Sequence, residues 1–216
     1  MIAKDFYISD LDLMYFIGIN QIQSELKITF DFLFNLIEKI QNDTNSMVQL
    51  FSDKYILNQE HLFTACYYVQ KAFFNKVNIS KRKNIEFLLY LASKRQIKNA
   101  IEAFGINILD LESGKISYII VSNENNLNEI NDEILQNLKA NEIEITLNKK
   151  NAEKFNQIKS YFKISNNQIN AVLNSYGVKN FSNKLIANNL DNLFLALYDL
   201  ICEKMALLSL EKIHVD

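Results

Sequence analysis

Six cations carry the most suggestive chemistry in this 216-residue chain: Lys81, Arg82, Lys83, Lys94, Arg95 and Lys98. Residues 71–98 hold eight Lys or Arg against one acid, Glu86, a local charge of +7; with the whole chain at −2, the remainder carries −9. A net charge so near zero excludes a protein that coats nucleic acid with its whole surface. The asymmetry points instead to one localised anion site, a phosphate-facing patch on an acidic body. The alternative is a set of solvated helix faces. Tyr67, Tyr68 and Phe74 lie just upstream and are available to stack on an unpaired base, or simply to pack in the core.

Other reactive groups offer less. Asp10 and Asp12 form a D-x-D that hints at a divalent metal, but no third carboxylate or His lies nearby, and a solvated turn is the simpler reading. His61 has no acidic or thiol partner at a useful spacing and reads as a packing or capping residue. Cys66 and Cys202 each sit inside an apolar helical pattern, as reduced core thiols do. Gly18, Gly105, Gly114 and Gly177 are the only glycines, too scattered for a phosphate loop. H-E-x-x-H, C-x-x-C and G-x-S-x-G are absent. The reading is a non-enzyme with no cofactor, no metal and no catalytic residues. A metal-dependent phosphodiesterase using Asp10 and Asp12 is the enzymatic alternative.

The elements that must position the basic cluster lie between Asn78 and Ile106. Ser80 is the expected N-cap of a helix whose buried stripe is Ile85, Leu88, Leu89 and Ala92. Ser93-Lys94 marks a short break. Ile97, Ala100, Ile101 and Phe104 form a second stripe, with Gly105 expected as a left-handed stop. Before this pair, a polar lead precedes a strand over Leu13–Asn20, an amphipathic helix over Ser24–Gln41, a strand over Met47–Ser52 and a helix capped by Asn58. After it, Ile106–Leu111 and Lys115–Ser122 are expected to form a hairpin across Gly114. A helix over Leu127–Leu138, a strand over Glu142–Leu147 and helices over Ala152–Phe162 and Ser165–Leu173 follow; Gly177–Ala187 reads as a loop.

The last helix is the second informative stretch. Leu190, Phe194, Leu197, Ile201, Met205 and Leu208 form one stripe, and Leu193, Ala196, Leu200 and Leu207 a second beside it. An apolar surface this wide is either fully internal or has a face awaiting a partner. Taken together, the pattern predicts a mixed α/β fold: a small sheet of about four to five strands, packed helices and a long C-terminal helix, in one domain spanning 1–216. No run is long and apolar enough for a membrane span, and the acids Asp5, Asp10 and Asp12 replace the basic and apolar parts of a signal peptide. The expected location is cytoplasmic, or nuclear in a eukaryote.

The central stretch also resembles a known family. Glu60-His61-Leu62 and Ala72-Phe73 precede N-I-S-K at 78–81, E-F-L-L-Y-L at 86–91, R-Q-I at 95–97, A-I at 100–101 and F-G-I at 104–106. In order and spacing they resemble the kinase-binding small subunit of the KEOPS complex, which makes N6-threonylcarbamoyladenosine in tRNA. The likeness is weakest over 148–188, where an insertion is expected. The resemblance implies a non-catalytic regulatory subunit that binds the complex's kinase/ATPase subunit and helps recruit tRNA, with the 3′ acceptor end as the contact. Lys81 and Arg95 match motif positions and are assigned to tRNA; Arg82, Lys83, Lys94 and Lys98 join them from local charge alone. The last helix, L-x-x-L at 197–200 and M-A-L-L at 205–208, looks like the family's kinase-facing helix, so Leu197, Leu200, Glu203, Lys204, Leu207 and Leu208 are the expected kinase contacts. The competing reading is a protein–protein adaptor with no RNA contact.

Overall fold

The computed structural model describes residues 1–178 and 190–210. Five strands, β1 (Ile2–Ile8), β2 (Leu13–Ser24), β3 (Met47–Phe51), β4 (Lys115–Ser122) and β5 (Ala140–Glu142), form an antiparallel sheet in the order β1-β2-β4-β3. The short β5 pairs with the end of β2, Ile22 opposite Glu142, beyond the stretch taken by β1. β4 is buried along almost its whole length because both faces of the sheet are covered, so its sequence runs apolar instead of alternating.

One face, with Val48, Leu50, Ile116, Tyr118 and Ile120, packs on α1 (Phe30–Thr44) and α6 (Leu127–Leu138). The other, with Tyr15, Ile17, Ile19, Phe51, Ile119 and Val121, carries the larger core. There α2 (Gln59–Phe74), α3 (Lys83–Ala92), α4 (Ile97–Phe104), α7 (Ala152–Tyr161), α8 (Asn166–Ser175) and α9 (Leu190–Leu210) pack together. The mixed α/β class, the small sheet and the long last helix agree with the sequence reading.

The differences have identifiable causes. The polar lead is the edge strand β1, whose Ile2, Phe6 and Ile8 turn inward while its other face stays wet. The helix expected from Ser24 starts at Phe30, because β2 runs on to Ser24 and Thr29 supplies the cap to Phe32 N. The first strand of the expected hairpin is instead α5 (Ile108–Ser113): the Asn107 side chain accepts from Leu109 N and Asp110 N, and the Asp110 carboxylate accepts from Asn107 N at 2.9 Å. That reciprocal box overrides the strand pattern, although Gly114 does take the left-handed φ of 68° expected there. The strand expected over Glu142–Leu147 ends at Glu142, because the Gln21 side chain takes Thr146 N at 2.6 Å in place of a ladder partner. Helices α7 and α8 start as expected, α8 at its expected cap Ser165 and α7 at Asn151, whose side chain accepts from Lys154 N. The loop expected over Gly177–Ala187 lies mostly outside the described residues.

Candidate binding surface

The loop before α3 is built around one buried acid. Glu86, fully buried, accepts from Ile79 N at 3.0 Å and Ser80 N at 2.6 Å. Ser80 is not the helix cap; its hydroxyl accepts from Arg82 N at 3.2 Å, and Asn78 Nδ2 donates to the Ser80 carbonyl at 2.8 Å. These bonds tie N-I-S-K to α3 and leave Lys81 and Arg82 pointing outward, both exposed. Lys83 does not join them. Its ammonium donates to Gln70 Oε1 at 3.1 Å and lies 5.8 Å from the Phe73 ring, and burial lowers its pKa.

At the far end of α3 the left-handed residue is Ser93, with φ 49°, and its N–H caps the Leu89 and Tyr90 carbonyls. Gly105, expected to take that role for α4, has φ −70°; a Cβ there would meet the Ile101 carbonyl oxygen at 2.6 Å, so close approach explains the glycine. His61, buried in the first turn of α2, anchors this end. Its Nδ1 accepts from Leu57 N at 3.3 Å and its Nε2 faces the Leu91 carbonyl at 3.3 Å, which fixes Nε2 as the donor. Burial pulls its pKa down to about 3, so the ring is neutral.

The turn after Ser93 presents Lys94, Arg95 and Gln96. They line a groove of about 320 Å³ with Ser93, Asn99, Lys204 and Leu208, so the joint between α3 and α4 meets the end of α9. Lys94 Nζ lies 4.6 Å from the Tyr161 ring, which stacks on Tyr55 at 4.5 Å. Lys98 points away and lies 3.9 Å from Glu102 in an exposed pair of little energetic weight. The expected basic cluster is therefore divided. Ten-residue α3 separates Lys81 and Arg82 from Lys94 and Arg95 by about 14 Å, and Lys83 belongs to neither group.

Along α9, Leu197, Leu200 and Leu208 are packed in the core, while Glu203 and Leu207 are exposed and Lys204 is half-buried. Leu195, Leu207 and Leu210, at 48%, 51% and 52% exposure, face outward, with Asp199 and Glu203 at the four-residue steps between Leu195 and Leu207. Tyr67 and Tyr68 are half-buried, with Tyr68 stacked on Tyr90 at 5.3 Å; Phe74 is exposed, and none of the three lines the groove. The Asp12 carboxylate accepts from the Tyr7 hydroxyl at 2.7 Å, and among the described residues no group of three His, Cys, Asp or Glu could hold a metal. Cys66 and Cys202 are free thiols, both pushed up in pKa by burial. No described helix is long and apolar enough to cross a membrane.

Charge counting missed Ser93, Asn99 and Lys204 in the groove, and it missed the structural role of Glu86. A lone acid inside a basic run was the available signal for the last; nothing local marks the others, since the groove forms only when α9 packs.

The sheet, its two helical layers and the groove define a mixed α/β protein with a candidate recognition surface where two distant stretches of chain meet. The chain belongs to the family described as kinase binding protein CGI-121, whose profile matches residues 33–209, through α1–α8 and most of α9. Comparison with curated proteins found no match.

Proposed function

We propose that this chain is the non-catalytic kinase-binding subunit of a KEOPS complex. The outward face of α9 binds the kinase/ATPase subunit, and the groove at the α3–α4 joint helps recruit tRNA by its 3′ acceptor end. The observation that carries the reading is the groove itself. It gathers Arg95 and Gln96 of the family-like R-Q-I stretch, and Lys94 just before it, with Lys204 of the last helix. Arg95 and Lys94 supply charge for phosphates, and the aromatic pair Tyr161–Tyr55 lies directly behind Lys94. On α9, Glu203, Lys204 and Leu207 stay in the kinase contact set; Leu197, Leu200 and Leu208 hold the helix in place. Lys81 and Arg82 form a second, separate basic spot.

A pure adaptor that never touches RNA is the second reading, favoured by the division of the basic set into two spots. Both are tested by tRNA binding across a salt series, comparing wild type, Arg95→Glu and a tRNA lacking its 3′ terminal nucleotides. The proposal expects about a tenfold loss of affinity from the charge reversal, 1.4 kcal/mol, and a similar loss from the truncation. Weak binding unchanged in all arms would leave the adaptor.

A further inference from the structure

β3 is an edge of the sheet, and its free side is the floor of a groove of about 650 Å³. One wall is α1, with Phe34, Ile37 and Glu38; the other is α3 and α4, with Arg82, Ile85 and Ile101. A helix from each layer thus stands beside an open strand edge, the feature that most proteins cover or charge.

The edge is closed at both ends and open in the middle. The outward backbone groups recur at every second residue of an antiparallel strand. At Val48 both are taken by side chains: N–H donates to Gln41 Oε1 at 2.9 Å, and Asn84 Nδ2 donates to its carbonyl at 2.8 Å. Asn84 also donates to Gln41 at 3.0 Å, so the two amides bridge α1 and α3 over the strand. At Ser52 the N–H donates to the Phe104 carbonyl at 3.0 Å. Leu50 lies between. Its carbonyl accepts only from the amide of the adjacent Gln49, and its outward N–H has no partner among the described residues.

We propose that this groove is a strand-addition site for an extended segment of a partner protein. One residue of the segment exchanges both backbone hydrogen bonds with Leu50, displacing the Gln49 amide. That residue places an apolar side chain between Phe34 and Ile101, which are 51% and 44% exposed, and the residue two further on, on the same face, places a carboxylate on Arg82. Arg82 has no ion pair among the described residues, and Glu38 stands on the opposite wall, so the acid lies at the Arg82 end. From Phe34 to Gln41 the α1 wall runs about 10 Å, room for about three extended residues. A second folded copy cannot bring its own sheet edge between the two helical walls, whereas a single strand can. A nucleic acid would meet mostly apolar walls and one cation opposed by an acid.

The test uses the ¹⁵N-labelled full chain and the blocked peptide acetyl-Val-Thr-Val-Thr-Glu-amide at millimolar concentration. The expected result is a shift of the Leu50 amide and at least tenfold slower exchange of its proton. N-methylation of the central valine abolishes both effects, Arg82→Glu weakens binding at least fivefold, and Gln49→Ala tightens it. An unmoved Leu50 amide, or equal binding of the N-methylated peptide, overturns the proposal. So does protection of Leu50 that grows with protein concentration alone, which assigns the edge to a second copy, or protection by a CCA-ended RNA. Gln49→Ala leaves Arg82 in place and keeps the test decisive if the charge reversal perturbs folding.

Discussion

The two ends of α3 present the same kind of side chain through opposite chemistry. At the entrance a buried carboxylate, Glu86, collects the backbone N–H groups of Ile79 and Ser80, and the loop so formed displays Lys81 and Arg82. At the exit a buried imidazole, His61, faces the Leu91 carbonyl, and the left-handed Ser93 beyond it turns out Lys94 and Arg95. The Glu86 carboxylate takes donors of the loop just before the helix, whereas the His61 imidazole takes one of the helix's own last carbonyls. The surroundings differ as well. The entrance opens on an apolar groove over a strand edge, the exit on a polar groove closed by Lys204. Two basic spots that look like one cluster in the sequence thus have separate supports and separate neighbours, and each can be removed alone.

The largest effect is expected at the entrance. Glu86→Ala leaves two backbone donors, one of them at buried Ser80, without their acceptor. At about 2 kcal/mol for each orphaned donor, the cost is about 4 kcal/mol, read as the fall in stability by urea denaturation. A loss below about 1 kcal/mol would mean that the N-I-S-K loop holds itself and that the entrance needs no anchor.

The exit responds to acid. The His61 pKa is about 3 in the folded chain against 6.5 for the free side chain, so the neutral ring is the folded form. Its contribution is complete above pH 6.5 and is lost as the pH falls toward 3, because the unfolded chain takes up the proton first. The slope approaches 1.4 kcal/mol per pH unit, or about 3 kcal/mol between pH 6.5 and pH 4. The check is the pH dependence of stability in wild type beside His61→Gln, which should be flatter by that amount. Parallel curves would show that the ring is not held neutral, and the contrast between the two ends would fail.

How much of this could be read from the chain depends on range. Local signals worked: Asn58 and Ser165 cap the helices they were expected to cap, and the Ser93-Lys94 break is a helix terminus. Local signals failed at Asn107–Asp110, where capping side chains outweighed an apolar run, at Ser80, which is not the cap of α3, and at Gly105, which is not left-handed. β1 was hidden because an edge strand shows water one face and Lys4 interrupts the other. The basic cluster was legible as charge but not as geometry, since a charge count carries no distance and cannot tell that Lys83 folds back on Gln70. On α9 the apolar residues were evident, yet which of them stay outside follows only from packing: both expected rows turn inward except for Leu207, and the exposed Leu195 belongs to neither.

The smallest expected effect separates groove from field. Lys98 and Lys204 are both cations near the exit, but only Lys204 lines the groove; Lys98 is exposed and lies beside Glu102. If the groove holds a phosphate, Lys204→Ala should weaken tRNA binding by the protein alone about threefold and reduce the salt slope by about one, whereas Lys98→Ala should leave both unchanged. Neither substitution should move stability by more than about 0.5 kcal/mol, so affinity is a clean readout. Equal losses from the two would mean that RNA senses the summed charge of the α3–α4 surface, and the exit would then have no better claim to RNA than the entrance. A loss from Lys204→Ala alone ties the last helix to the RNA surface, and since Glu203 and Leu207 continue the same helix outward, a kinase docked there would border any RNA held at the joint.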